Sequence, residues 1–134
     1  MPRNIEIKAR IARHQGKAYR SAPLTSHVNY LKREGVSRDG EKGVMFDAGI
    51  DRADDLAFAE RCKDDRHHFR FIVSPDDATE LESLRSFTRE LMDQASRDLG
   101  TRLDWVAVDH FNTGHPHTHI MLRGIDDQGQ NLII

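Results

Sequence analysis

The chain has 134 residues, enough to bury one hydrophobic core but not two, so we expect a single domain over residues 1–134. Its net charge of −2, with 31% charged and 37% hydrophobic residues, is ordinary for a globular protein and argues against a generic nucleic-acid binder. No apolar run approaches the roughly 20 residues that span a membrane, no secretory signal is present, and the only cysteine is Cys62, so we expect a cytoplasmic protein without membrane insertion.

Charge is unevenly distributed along the chain. Residues 1–43 carry ten Lys or Arg side chains against four Asp or Glu, whereas residues 44–98 carry eight against fourteen. A basic segment on a mildly acidic body is compatible with a local phosphate-binding surface. A solvated charged face explains the same pattern, and the sequence leaves both interpretations open.

The N-terminal half of the chain predicts one strand and two helices. Residues 4–13 alternate apolar and charged side chains with a period of two, which is typical of a half-exposed strand. Apolar residues at helical spacing predict a helix over 23–34, which Gly35 is placed to end. A second, short helix is predicted over 51–62.

A strand and a long helix are predicted next. Residues 67–73 form an apolar-rich segment that is typical of a strand. Ser74 is a suitable N-cap for the following helix, because Pro75 would then take the first helical position. The apolar stripe of this helix continues to Leu99, and Gly100 ends it.

Two further strands close the predicted fold. Residues 103–110 and 119–123 are rich in Val, Ile, Leu and Trp and are separated by an Asn-Thr-Gly turn signal. With the earlier elements they predict an α+β fold, in which helices pack on a largely antiparallel central sheet. The last residues, 130–134, resemble one more strand, so we expect the N-terminal fragment of a longer protein.

One stretch of ten residues in this hairpin contains four histidines, namely His110, His115, His117 and His119. The hairpin brings His110 beside His117 and His119, and alternation puts the last two on one face. A metal ion bound by three imidazoles keeps coordination positions open for water or substrate, as a catalytic divalent metal requires. A closed zinc site is the weaker alternative, because Cys62 is the only thiol. We therefore predict His110, His117 and His119 as metal ligands.

Three further residues are candidates for supporting this site. Asp109 and Asn112 flank His110, and either can hydrogen-bond a ligating imidazole and fix its tautomer. His115 lies at the turn, where a substrate contact is the better interpretation than a metal ligand. The sequence does not decide which of the three supports the ligands.

Three motifs of this chain resemble those of HUH endonucleases, in particular the MobP branch of conjugative relaxases. The histidine pattern just described resembles the family's metal-binding motif. Segment 29–35 resembles its tyrosine helix, and segment 71–75 resembles its strand-end serine motif. The three occur in the family's order and span Tyr30 to His119. The family commonly has an aspartate at the position of Asn112.

This resemblance implies a metal-dependent, site- and strand-specific DNA endonuclease and strand transferase with the HUH fold. Tyr30 would be the nucleophile that nicks single-stranded DNA at a transfer origin through a 5′-phosphotyrosine intermediate, and Ser74 would lie near the DNA phosphates. The expected cation is Mg²⁺ or Mn²⁺, with Zn²⁺ or Ni²⁺ as alternatives. The implied setting is bacterial plasmid mobilization or conjugation, with accessory relaxosome proteins and a secretion coupling protein as further partners.

The residues around the tyrosine fit this chemistry. Helical geometry places Tyr30 about 120° from the apolar stripe of its helix, so its hydroxyl need not be buried. Lys32 and Arg33 follow it and are reasonable phosphate contacts. Tyr19, the only other tyrosine, lies in a predicted loop and is the alternative nucleophile.

Two rival functions remain open at this point. The segment 115–121 partly fits the histidine-triad nucleotide hydrolases, in which the middle histidine, here His117, attacks a nucleoside phosphate without metal. Pro116 and Thr118 are poor matches to the apolar positions of that pattern. The second rival is a catalytically inactive module that binds metal and DNA, with Asn112 marking the lost activity.

Overall fold

The computed structural model describes residues 4–14, 22–33, 42–78, 83–111 and 114–134. In chain order its elements are β1 (Ile5–Arg13), α1 (Ala22–Leu31), α2 (Asp55–Arg61), β2 (His67–Pro75), α3 (Leu84–Leu99), β3 (Trp105–His110) and β4 (His117–Arg123). The strands form one sheet in the order β1-β2-β4-β3, and every neighbouring pair is antiparallel. The predicted α+β class with an antiparallel sheet is confirmed. No helix within the described ranges is long and apolar enough to cross a membrane.

The two faces of the sheet pack against different helices. Val106, Val108 and Met121 share one buried cluster with the apolar residues of α1 and α2, and we call this side the α1 face. Ala107 and Ile120 share a second buried cluster with α3, and we call that side the α3 face. Because side chains alternate along each strand, this assignment fixes the side on which every other strand residue lies.

Trp105 lies on the α3 face, opposite to His110. It is 4% exposed and packs edge-to-face against Phe46, with ring centroids 5.9 Å apart. The tryptophan is therefore part of the core, as the alternation along its strand predicts.

The predicted start of the long helix at Ser74 is wrong. Strand β2 continues through Ser74 and Pro75, which pair with Glu6 and Ile5 of β1. The long pairing with β1 outweighs the local capping preference, and Pro75 is tolerated because it ends the strand. The described helix α3 begins at Leu84, and its N-cap is Ser83.

Other element boundaries also differ from expectation. Helix α1 ends at Leu31, and Gly35 lies outside the described residues. Helix α2 begins at Asp55, because the Asp54 side chain caps it by accepting a hydrogen bond from the Ala57 amide. The end of α3 at Gly100 is confirmed, and this glycine has a left-handed φ of 69°.

The predicted final strand over 130–134 is wrong. In this segment Asn131 makes only an isolated antiparallel bridge to Ile125. A tight turn precedes the bridge, in which Asp126 accepts hydrogen bonds from the Gln128 and Gln130 amides. The segment therefore closes on its own turn, and no described strand of the sheet pairs with it.

Candidate metal centre

Three imidazoles converge where β3 and β4 pair on the α1 face. His110 is directly opposite His117, and His119 follows two residues later on the same side of β4. Their ring centroids are 4.2 to 5.3 Å apart, and one potential ligand atom from each residue lies within 4.8 Å of the others. The arrangement of the three side chains that the hairpin predicted is confirmed.

Two backbone carbonyls orient these rings. The Nε2 atom of His110 is 2.9 Å from the carbonyl oxygen of Leu31, and Nδ1 of His117 is 2.9 Å from that of His115. Because a carbonyl only accepts, each of these nitrogens must carry the proton. The lone pair for a metal is then on Nδ1 of His110 and on Nε2 of His117.

Burial favours the neutral form of His110 and His119. Burial lowers the pKa of His110, and burial together with the other two rings lowers the pKa of His119 to about 3. A metal ion binds the neutral form of imidazole, so near neutral pH these two histidines need not lose a proton before they bind it. Three imidazole nitrogen donors fit an open divalent site in which water or substrate completes the coordination.

The closed zinc alternative finds no support in this geometry. Cys62 is the C-cap of α2 and is buried in the apolar cluster of the α1 face, and burial raises the pKa of its thiol to about 12. Within the described part of the chain, the three histidines are the only group that meets the geometry of a metal site, and it does not include the thiol. An open three-histidine site is the arrangement left.

The residues predicted to support the ligands are spread over different places. Asp109 lies on the α3 face, where it accepts a hydrogen bond of 2.7 Å from the Thr118 hydroxyl. Asn112 lies outside the described residues. His115 is exposed, and its backbone rather than its ring holds His117. The supporting carbonyl of Leu31 has no signal in the sequence, because every residue has a carbonyl.

Ser74 is close to the histidines although it caps no helix. A cavity of about 280 Å³ is lined by residues of β1, β2 and the hairpin, namely Glu6, Lys8, Ile72, Ser74, His115 and His117. The Ser74 hydroxyl and the Lys8 ammonium are both donors suited to a phosphate oxygen. The strand position, rather than a helix N-terminus, brings the serine to this cavity.

Tyr30 lies at the end of α1 that contacts the histidines. It immediately precedes Leu31, whose carbonyl binds His110, and its side chain is 61% exposed. The Arg33 guanidinium is 4.5 Å from the centre of the tyrosine ring. Lys32 forms an ion pair with Asp55. Tyr19 lies outside the described residues.

A family model described as "Relaxase: MobA/VirD2-like, nuclease domain" matches residues 51–133, more than half of the chain. The chain belongs to this relaxase family. No curated protein and no solved structure gives a significant match. The relaxase match includes Ser74 and all three clustered histidines, whereas Tyr30 precedes it.

Proposed function

We propose that this relaxase domain nicks single-stranded DNA at a transfer origin, with Tyr30 as the nucleophile and a divalent ion held by His110, His117 and His119. The hydrogen bond between His110 and the Leu31 carbonyl carries the proposal. It ties the end of the tyrosine helix to the histidine cluster, so an exposed phenol and three metal-binding nitrogens belong to one site.

The chemistry exchanges one phosphate ester for another. The Tyr30 oxygen attacks the phosphorus, the bond from phosphorus to the 3′ oxygen breaks, and the phenolic proton is lost while the released 3′ oxygen gains one. The 5′ end of the DNA stays on the tyrosine, and the nearly balanced exchange lets the strand be rejoined. When bound, the divalent ion supplies Lewis-acid stabilisation of the negative charge on the scissile phosphate.

The chain's own residues have separate tasks in this step. Arg33 holds a positive charge beside the phenol, where it stabilises negative charge that develops in the transition state. Ser74 and Lys8 line the cavity beside His117 and donate to phosphate oxygens. Lys8 also pairs with Glu6, but at 3.5 Å and with both side chains exposed, so this ion pair is weaker than a buried one. Lys32 is already paired with Asp55, so we assign it a smaller share in DNA binding than Arg33.

The donor set bears on which ion is used. Imidazole nitrogens suit transition metals, so we propose that Mn²⁺ binds more tightly than Mg²⁺ and that Zn²⁺ or Ni²⁺ can substitute. The wider role is plasmid mobilization or conjugation in the bacterial cytoplasm, together with accessory relaxosome proteins and a secretion coupling protein.

The test is a covalent adduct between protein and DNA. The domain is incubated with Mn²⁺ and a random single-stranded DNA library, adducts that survive denaturation are isolated, and their DNA is sequenced to find the preferred site. We expect an adduct that chelation removes and that Tyr30→Phe abolishes, whereas the matched variant Tyr19→Phe keeps it. An adduct that survives in Tyr30→Phe and disappears in Tyr19→Phe would move the nucleophile to Tyr19.

Two other outcomes would contradict the proposal. Release of a nucleoside monophosphate that is insensitive to chelator and lost in His117→Ala would indicate a histidine-triad hydrolase. Binding of metal and of DNA without any adduct from the library would indicate an inactive module.

A further inference from the structure

A second polar cluster lies on the α1 face, beside the three histidines and distinct from them. Arg10 of β1 is directly opposite Arg70 of β2 in the antiparallel register. Like charges at directly opposed positions destabilise a sheet. In the described ranges, neither guanidinium forms an ion pair with a carboxylate. The nearby acid on β1, Glu6, pairs with Lys8 instead.

Arg70 is held in place by a chain of hydrogen bonds. Its Nε atom donates to Nε2 of His68 at 3.0 Å, Nδ1 of His68 is 2.7 Å from Nε2 of His14, and Nδ1 of His14 is 2.8 Å from the Asp65 carbonyl oxygen. The carbonyl only accepts, so His14 donates to it, His68 donates to His14, and Arg70 donates to His68. Both imidazoles are therefore neutral.

The surroundings keep His68 uncharged. Burial, followed by the charge of Arg70, lowers the pKa of His68 to about 3. The chain begins on a backbone carbonyl and ends on Nε of Arg70, so it fixes the direction of the guanidinium. Within the described residues, the two Nη groups of Arg70 have no hydrogen-bond partner.

The arginine pair adjoins the metal centre through helix α1. Burial, followed by the charges of Arg70 and Arg10, lowers the pKa of His27 on α1 to about 4, so His27 lies within electrostatic range of both guanidiniums. His27 is one helical turn before Tyr30. On the sheet, Ile72 is opposite His119, and Arg70 lies two residues before Ile72. Arg70 and His119 are therefore diagonal neighbours, with Cα atoms about 7–8 Å apart.

We propose that Arg10 and Arg70 form a subsite for a non-scissile phosphodiester of the bound strand, and that His68 and His14 are positioning residues for Arg70. The identity of the ligand rests on the proposed function, because a relaxase acts on single-stranded DNA. A phosphodiester relieves the repulsion between the guanidiniums, and the fork of Nη groups matches its oxygens.

The test measures binding without cleavage. The anisotropy of a labelled oligothymidylate of about 20 nucleotides is titrated with the full chain in chelator over a series of salt concentrations; single-strand sites cover ~4–16 nucleotides. A phosphate contact does not depend on sequence, so the unknown origin is not needed. Arg70→Gln and Arg10→Gln should each weaken binding about tenfold and reduce the salt slope by about 0.7.

A matched control comes from the other side of the sheet. Arg97 on α3 is exposed and pairs with Asp93, so Arg97→Gln removes the same charge away from the proposed subsite. Its affinity and salt slope should equal those of the wild type. If Arg97→Gln weakens binding as much as Arg70→Gln, the effect is one of net charge and the subsite is excluded.

The positioning role has its own readout. Arg70→Lys keeps the charge but loses the bond to His68, so we expect an unchanged salt slope and affinity a few-fold weaker. His68→Phe should behave like Arg70→Lys, whereas His68→Gln, which keeps an acceptor, should recover most of the affinity. Thermal unfolding of each variant separates this effect from loss of the fold.

Three results would overturn the inference. The first is wild-type affinity and slope in both Arg10→Gln and Arg70→Gln, and the second is no binding of the oligonucleotide by the wild type. The third is Arg70-dependent binding of inorganic phosphate with oligonucleotide affinity unaffected by Arg70→Gln. Absence of a covalent adduct, with the two arginine effects intact, would instead reject the nicking proposal and leave the subsite standing.

Discussion

The α3 face of the sheet is an apolar packing surface, whereas the α1 face combines apolar packing with imidazole and guanidinium groups. On the α3 face the buried polar groups satisfy one another, since the Thr88 hydroxyl bonds that of Thr118, which bonds Asp109. On the α1 face the buried His110 bonds the backbone carbonyl of Leu31 on another element. Arg70 ends a hydrogen-bond chain, and among the described residues its Nη groups have no hydrogen-bond partner.

Strand β2 shows the contrast within a single segment. Its residues alternate between the faces, with Phe69, Phe71 and Val73 toward α3 and His68, Arg70, Ile72 and Ser74 toward α1. Polar groups on a half-buried face cost folding free energy unless they are paired. The difference indicates that both faces pack the core, and that the polar groups of the proposed site lie on the α1 face.

The largest effect is expected on the α3 face. Trp105→Ala removes a buried ring that packs edge-to-face on Phe46, and should lower the free energy of unfolding by about 3–5 kcal/mol. Urea unfolding followed by circular dichroism measures this change. Trp105→Phe, which keeps an aromatic ring, should lose less. A loss below about 1 kcal/mol in Trp105→Ala would contradict the assignment of Trp105 to the packed core of the α3 face.

The next effect tests the α1 face through metal binding. Mn²⁺ at about one hundred times its dissociation constant should stabilise the wild type by about 2.7 kcal/mol, which thermal unfolding detects as a rise in Tm. His119→Ala should lose this rise, and chelation should abolish it in the wild type. His115→Ala, outside the cluster of three, should keep it. An equal loss in His115→Ala would contradict the three-histidine site.

The metal-site hairpin could be predicted because its signals are local. The strands on either side of the turn are short and apolar, and period-two alternation alone places His117 and His119 on one side. The same alternation puts Asp109 on the opposite face, although its place next to His110 in the sequence suggests a supporting role. A neighbour in sequence along a strand is therefore not a neighbour in the site.

The parts that could not be predicted depend on distant pairing. Ser74 and Pro75 have the local signature of a helix start, yet β1 pairs with them from some 70 residues upstream. Likewise, His14 and His68 have no pattern that links them, and their contact follows from the position of β1 beside β2. Register between strands far apart in sequence leaves no short motif, so the arginine subsite becomes visible only in the fold.

The smallest predicted effect is the contribution of His68 to the loss of stability between pH 7 and pH 5. His68 and His27 have pKa values lowered to about 3 and 4, whereas an unfolded histidine titrates near 6.5. Between these values the unfolded chain binds more protons than the folded one. The contribution of these histidines to the free energy of unfolding is therefore fully present above pH 6.5 and is lost as the pH falls. The limit is about 1.4 kcal/mol per pH unit for the buried His68, and solvent screening makes the contribution of the half-buried His27 smaller.

His68→Gln isolates one of these contributions. The variant removes a titrating group and keeps an acceptor for Arg70, so urea unfolding at pH 7 and pH 5 should show a smaller loss of stability than in the wild type. Carboxylates titrate in both proteins, so their effect cancels when the loss of stability between pH 7 and pH 5 is compared between the two proteins. An equal loss in both proteins would mean that His68 binds a proton as readily in the folded state as in the unfolded state. The hydrogen-bond chain from Asp65 to Arg70 would then not hold its arginine in the fixed direction that a phosphate subsite requires.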